Sequence, residues 1–229
     1  MTSLGADGTT INVVTMVAHA VNQEGTDELT QMSVRSERAR VLQAYGVDAT
    51  GRRVDVSSIR NGTVRFRQLT EGSTIVLQYR VDARPDGYLA HHLARQWWFQ
   101  APGVQTALSR WVTWAPKGTK FLEEGLGDFK RTLEEKGDQI RVAWQAEDTP
   151  PVEAEPAMPT LSEVAWHVTV STVPDWDTFW KWEKALLQDA FRTSPELEQL
   201  AATLAQGAAT PEEKVRRIHA YLMLSLIHI

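Results

Sequence analysis

Apolar and polar residues alternate with a period of two along most of the first three quarters of the chain. The alternation is clearest at 11–17, 74–82, 139–145 and 163–173, and weaker candidates lie at 38–45, 52–58, 63–69, 92–100 and 104–115. Turn-forming pairs such as Asn61-Gly62 separate these segments. Short alternating segments are typical of strands with one face against a core. We therefore predict that residues 1–174 form a mainly β, antiparallel β-sandwich-like domain.

The last quarter of the chain has a helical apolar period instead. Asp175, Ser194 and Thr210 are predicted to be N-caps, and Glu213 completes a capping box with Thr210. We therefore predict that residues 175–229 form two or three C-terminal α-helices that lead into a further domain.

Prolines and acidic residues are concentrated at 147–160. Four prolines in this stretch are incompatible with a helix or a central strand. Because another strand is predicted after it, the stretch is interpreted as an extended connector that crosses the β domain.

Composition narrows the possible functions. The chain has a net charge of -5 and no cysteine. It therefore has no disulfide, no zinc–thiolate site and no Cys nucleophile within these residues. Without a basic stripe we expect no nucleic-acid partner, and without a run of eighteen apolar residues we expect no membrane span. We also expect no metal site and no cofactor.

Nine tryptophans are the most unusual feature of the composition. The candidates for ligand contact in neighbouring strands are Trp97, Trp98, Trp111 and Trp114. They either stack on sugar rings or an extended peptide, or pack in the sandwich core, and large aromatic side chains favour packing.

Three further tryptophans, Trp176, Trp180 and Trp182, lie in the first predicted helix. We interpret them as residues that dock against another domain. Trp176 and Trp180 share one stripe of the helix, whereas Trp182 points elsewhere and is a candidate contact to a downstream domain.

Other chemical patterns do not form a catalytic site. His91 and His92 are adjacent, so in a strand they point to opposite faces and cannot ligate one metal. Gly125-Leu126-Gly127 lacks the third glycine of a dinucleotide-binding loop. We predict no catalytic residue in this chain.

The order of these elements resembles a known bacterial family. The stretches that support the resemblance include GADGTTINVVTMVAHAVNQEG, ARVLQAYGVDATGRRVDVSSI, LTEGSTIVLQYRVD, WVTWAPKGTKF and, near the end, TPEEKVRRIHAYL. Together they resemble the domain of unknown function that precedes transglutaminase-like domains. The resemblance implies a downstream transglutaminase-like domain in the same protein, with a Cys-His-Asp constellation that lies beyond these residues.

The resemblance also implies that the chain is a fragment. Relatives are exported or membrane-linked, so the parent protein is expected to be periplasmic or exported, with its true N-terminus upstream. The final residues LSLIHI, 224–229, depart from the family and resemble translated sequencing-adapter sequence. We expect the natural sequence to diverge after Met223.

Three functions follow from this interpretation. The first is a non-catalytic accessory domain that binds or positions a protein, peptide or glycan substrate for a transglutaminase-like or peptidase-like domain. The second is a carbohydrate-binding β-sandwich that uses exposed tryptophans. The third is a purely structural adaptor between domains.

Overall fold

The computed structural model describes residues 1–34, 39–84, 91–188 and 190–225. The strands, in chain order, are β1 (Thr2–Leu4), β2 (Thr10–His19), β3 (Gln31–Ser33), β4 (Ala39–Val47), β5 (Arg53–Val54), β6 (Val56–Arg60), β7 (Thr63–Phe66), β8 (Thr74–Ala83), β9 (Ala94–Trp98), β10 (Thr106–Pro116), β11 (Leu122–Leu126), β12 (Lys130–Lys136), β13 (Gln139–Thr149) and β14 (His167–Ser171). The helices are α1 (Gln23–Thr30), α2 (Leu161–Val164), α3 (Trp176–Gln188), α4 (Pro195–Ala205) and α5 (Pro211–Ser225). The predicted mainly β, antiparallel fold with C-terminal helices is confirmed.

The chain divides into two compact units, Met1–Phe179 and Trp180–Ile229. The first contains all the described strands. The boundary predicted from sequence, between residues 174 and 175, stays a prediction.

An eight-stranded sheet forms one layer of the first unit, in the order β12-β13-β10-β1-β2-β8-β4-β5. The pairs are antiparallel except for β1 with β10, which run parallel. Two three-stranded sheets, β11-β14-β9 and β3-β7-β6, complete the described sheet structure.

Both small sheets cover the same face of the large sheet. Paired residues on adjacent strands point to one face, and the pairing runs from Thr113 to Thr2, then to Asn12 and Val81. Residues of β10 and β13 on this face pack with β14, whereas residues of β8 on the same face pack with β7. The result is a sandwich with one continuous layer, one divided layer and two separate cores.

The two cores have different compositions. The Trp-rich core includes Phe99, Trp111, Trp144, Val168 and Val170. The aliphatic core is formed by Val34, Val64, Phe66, Ile75 and Leu77. Each of these residues is at most 7% exposed, so both cores exclude water.

The helix caps predicted from sequence are present. Asp175 Oδ1 accepts a hydrogen bond from the Thr178 amide at 2.7 Å, and Ser194 Oγ accepts one from the Leu197 amide at 3.2 Å. Thr210 Oγ1 caps the Glu213 amide at 3.2 Å. In the second unit, α4 packs against α5.

One predicted segment differs from the structure. The strand predicted to begin at residue 163 begins at His167, because Leu161–Val164 forms a helical turn before it. In the unusual tail at 224–229, α5 continues through Ser225, and residues 226–229 lie outside the described residues.

Candidate functional site

Two of the four tryptophans predicted in neighbouring strands, Trp97 and Trp111, stack on each other, and Trp144 extends the stack. The Trp111 ring stacks on Trp144 with centroids 4.8 Å apart, and Trp97 stacks on Trp111 at 6.2 Å. Trp111 is 1% exposed and Trp97 is partly buried against the same core. These rings contribute packing energy to the core of the sandwich.

The indole N–H groups of this cluster are bonded within the protein. Trp111 Nε1 donates to Thr2 Oγ1 at 2.9 Å, Trp97 Nε1 to Ser109 Oγ at 3.1 Å, and Trp144 Nε1 to Glu123 Oε2 at 2.8 Å. A buried indole needs such a partner. The three indole N–H groups of the stack are therefore used inside the fold.

Trp98 and Trp114 occupy other surfaces. Trp98 is half-buried and lies against His167, with centroids 5.1 Å apart and the rings tilted by 45°. Trp114 is half-buried on the opposite face of the large sheet, where it pairs with Arg141 and Ser3.

The helical tryptophans differ in exposure. Trp176 is 71% exposed and Trp180 is 55% exposed, whereas Trp182 is half-buried. Trp176 meets Phe179 edge-on, with centroids 5.6 Å apart. Their role in contacts between domains stays a prediction.

Thr2 and Asn12 lie on the inner face of the large sheet, and Arg95 of β9 reaches Asn12 from the small sheet β11-β14-β9. Asn12 is 4% exposed, and its Oδ1 accepts hydrogen bonds from Thr2 Oγ1 and the Arg95 guanidinium. Burial lowers the pKa of Arg95, and burial raises the pKa of Tyr79. These bonds satisfy polar atoms that the sandwich would otherwise bury without partners.

The glycines of Gly125-Leu126-Gly127 have a structural role. A Cβ on Gly127, whose φ is +97°, would lie 2.1 Å from Trp166 Cγ. A Cβ on Gly125 would lie 2.6 Å from the His167 carbonyl oxygen. Because these two glycines have no side chains, β11 and the turn after it can approach β14 and the Trp166 ring closely.

Two open hollows lie on the surface of the first unit. The larger, about 370 Å³, is lined by Gln31, Ser58, Arg60, Asn61, Thr63 and Arg65, and we call it the arginine groove. The smaller, about 180 Å³, lies beside Phe129 and Trp166, which pack against the Trp-rich core.

The arginine groove lies on the outward face of sheet β3-β7-β6. Val64 and Phe66 of β7 point into the aliphatic core, so the alternate residues Thr63 and Arg65 point away from it. Within the described residues, neither Arg60 nor Arg65 forms an ion pair. The groove therefore presents two guanidinium groups together with hydroxyl and amide groups.

The sequence interpretation did not identify the arginine groove. Its residues come from three strands and one turn, and the only local signal was Asn61-Gly62, which was predicted as a turn. Arg60 lies beyond the strand predicted at 52–58, so the sequence did not place Arg60 beside Arg65.

The described residues contain neither a metal-binding cluster nor a membrane-spanning helix. No group of three or more His, Asp or Glu side chains there is arranged to hold a metal ion. None of the helices in those residues is long and apolar enough to cross a membrane. His92 Nδ1 and His167 Nδ1 each lie within hydrogen-bonding distance of a backbone carbonyl, that of Thr172 and that of Ala165.

Comparisons with known proteins identify a fold relative. No family model and no curated protein matches the chain. A solved structure from Parabacteroides distasonis, described as a "putative protease", matches with a TM-score of 0.73 and 18% sequence identity. The match covers 97% of this chain and 48% of that chain, so this chain spans about half of the length of the Parabacteroides protein. At this identity the likeness shows a shared fold.

Proposed function

We propose that this chain is a non-catalytic binding or positioning domain of a larger bacterial transglutaminase-like or peptidase-like protein. The observation that supports it is the unequal coverage of the fold match, 97% of this chain against 48% of the Parabacteroides protein. A chain equivalent to about half of a protein described as a "putative protease" would leave the other half to supply the chemistry. Since fold alone does not establish function, the proposal needs a direct test.

In this proposal the missing chemistry belongs to a transglutaminase-like domain downstream in the same, exported protein. Its Cys thiolate would attack a carboxamide or peptide carbonyl and form an acyl-enzyme as the amine leaves with a proton from His, and Asp would orient the imidazole; an amine or water would then take the acyl group. The β domain would hold the protein or peptide substrate near that site. This arrangement agrees with the resemblance of the sequence to the family that precedes transglutaminase-like domains.

The polar groups of the first unit differ in whether the fold already uses them. Trp97, Trp111 and Trp144 are bonded inside the core, and Asn12 and Arg95 satisfy each other. The arginine groove is different, because its polar groups face solvent in a concave surface. It is the surface at which we place the ligand.

The test uses the purified 229-residue chain. Incubated with peptide and protein substrates, and with a fluorescent amine as acyl acceptor, it should retain peptide ligands and should neither cleave them nor incorporate the amine. Cleavage or amine incorporation that co-purifies with the chain would contradict the proposal. Absence of both binding and turnover would also contradict it and would favour the structural adaptor.

The carbohydrate-binding alternative makes a separate prediction. Because Trp111 is buried, glycan stacking would depend on tryptophans with exposed surface: Trp176 and Trp180 are 71% and 55% exposed, and Trp98 and Trp114 are half-buried. Tryptophan fluorescence titrated with glycans separates the functions: a saturable change would support the alternative, and an unchanged spectrum would exclude it for the glycans used.

A further inference from the structure

We propose that the arginine groove binds an acidic peptide in extended conformation, with Arg60 and Arg65 each pairing with one carboxylate. This inference rests on the proposed function and specifies its ligand. The peptide carries two acidic side chains at positions i and i+2.

The strand register places the two guanidinium groups diagonally. Arg60 pairs with Thr63, and Ser58 pairs with Arg65, so the four side chains form a square of alternating arginine and hydroxyl groups. Diagonal neighbours across an antiparallel pair are about 7–8 Å apart. Gln31 of β3 pairs with Arg65 from the other side and extends the square to a third strand.

Two backbone features hold this register. Asn61 and Gly62 have φ values of 48° and 72°, which is the geometry of a tight two-residue hairpin turn between β6 and β7. The pairing then shifts between Val56 and Ser58, and the intervening Ser57 donates from Oγ to the Arg65 carbonyl oxygen at 3.0 Å. This irregularity allows Val56 to face the core while Ser58 stands beside Arg65.

The diagonal spacing matches an extended peptide. Side chains at positions i and i+2 of a strand lie on one face, about 6.6–6.8 Å apart. Two acidic side chains with one residue between them can therefore reach Arg60 and Arg65 together. Arginine binds carboxylates with paired hydrogen bonds, so each contact is directional as well as electrostatic.

The remaining groups of the groove suit a peptide backbone. The amides of Gln31 and Asn61 both donate and accept hydrogen bonds, as do the hydroxyls of Ser58 and Thr63. Peptide groups offer an N–H donor and a C=O acceptor at every residue, which matches groups that both donate and accept. The diagonal like charges of Arg60 and Arg65 repel each other in the free protein, and bound carboxylates would relieve that repulsion.

The experiment uses the isotope-labelled 229-residue chain and two short peptides. The probe is acetyl-Val-Glu-Ala-Glu-amide, which copies the sequence at 152–155 of the connector. The control peptide has Gln in place of both Glu residues. We expect the probe to shift the amide signals of β3, β6 and β7, with a dissociation constant at least about tenfold lower than that of the control peptide.

The variants locate the site. Arg60→Gln with Arg65→Gln should weaken probe binding by at least about tenfold, as expected for losing charge-assisted hydrogen bonds. Arg110→Gln removes the same charge from β10 of the large sheet and should change the affinity by less than about twofold, because surface charges away from the ligand are screened by salt.

If the double variant does not fold, the salt dependence of probe binding to the unaltered chain still tests the inference. In the unaltered chain, raising NaCl from about 50 to 300 mM should weaken binding of the probe, since screening acts on exposed charge pairs. Equal binding of the two peptides, salt-independent binding or signal shifts confined to other strands would overturn the inference. Displacement of the probe by equimolar inorganic phosphate would overturn it in favour of a phosphate ligand.

These outcomes are distinct from failure of the proposed function. Peptide binding that persists in the double variant overturns the arginine groove but leaves a binding domain in place. Cleavage of the probe by the chain overturns the proposed function itself.

Discussion

The part of the sandwich around the Trp-rich core, the Trp-rich half, and the part around the aliphatic core, the aliphatic half, share one large sheet. Their cores are packed differently. One half stacks Trp97, Trp111 and Trp144 and bonds their indole groups to neighbouring side chains. The other half fills its core with smaller residues such as Val64 and Ile75. The difference separates two tasks: the Trp-rich half uses its aromatic residues for stability, and the aliphatic half supports a small sheet whose outer face is open and cationic.

The two halves also differ in whether their surface arginines form ion pairs. In the Trp-rich half, Arg131 Nε donates to both oxygens of Glu123, at 2.7 and 3.0 Å, which links β12 of one layer to β11 of the other. Phe129 stacks on Phe99 beside this pair, at 5.0 Å. In the aliphatic half, Arg60 and Arg65 form no ion pair with any described residue and remain available to a ligand.

The largest effect should follow from removing a ring of the stack. Trp144→Ala should lower the free energy of unfolding by about 3–5 kcal/mol, because it leaves a cavity and removes the partner of Trp111. Urea unfolding measures it. Trp114→Ala is the matched control: the same change in β10 of the same sheet, at a half-buried position on the other face. Equal losses in the two variants would contradict the division into a core stack and a surface ring.

A smaller effect should come from the close approach of β11 to Trp166. Gly127→Ala introduces a Cβ 2.1 Å from Trp166 Cγ, so overpacking should add about 1–3 kcal/mol to the cost of a left-handed backbone. Gly118→Ala is matched, since φ is +90° there and nothing lies within 4 Å of its Cβ. The difference between the two unfolding free energies isolates the clash. If the two variants were equally stable, Trp166 would not constrain β11.

The smallest effect should be a pH dependence in the turn between β4 and β5. Hydrogen bonds from Thr50 and Arg52 hold the pKa of Asp48 below its ordinary value. A group with a depressed pKa stabilises the fold above its unfolded pKa, about 3.9, and the stabilisation is lost as pH falls through the folded pKa. The stability difference between the unaltered chain and Asp48→Ala should therefore be constant above about pH 5 and shrink in acid.

Chemical unfolding at several pH values measures that difference. A difference that grew as the pH fell would contradict the assignment of these hydrogen bonds to the Asp48 carboxylate.

Local sequence patterns predicted much of the fold. The alternation at 11–17, 74–82 and 139–145 marks β2, β8 and β13, because each of these strands has one face on a core. The caps at Ser194 and Thr210 were also readable, since a capping hydrogen bond depends on residues three apart.

Local alternation of apolar and polar residues could not predict the edge strands or the pairing of strands that lie far apart in sequence. All seven residues of β12 are exposed, so the strand has no buried face and no alternating pattern. β1 pairs in parallel with β10, more than a hundred residues later, and no local signal specifies that contact. The division into two cores depends on these pairings.

The candidate site was only partly predictable for the same reason. The sequence singles out Trp97 and Trp111 because tryptophan is rare and large, and in the structure their rings stack on each other. The arginine groove depends on the register shift near Ser57 and on pairing of β3 with β7. Neither is visible in the composition of the strands.

The central claim is that the chain binds acidic peptides without transforming them. The most direct measurement mixes the purified chain with a pool of acidic and neutral peptides, separates bound from free by ultrafiltration, and reads both fractions by mass spectrometry. The account predicts that peptides with acidic residues two apart are enriched, intact, in the bound fraction. New fragment masses, or equal retention of acidic and neutral peptides, would contradict it.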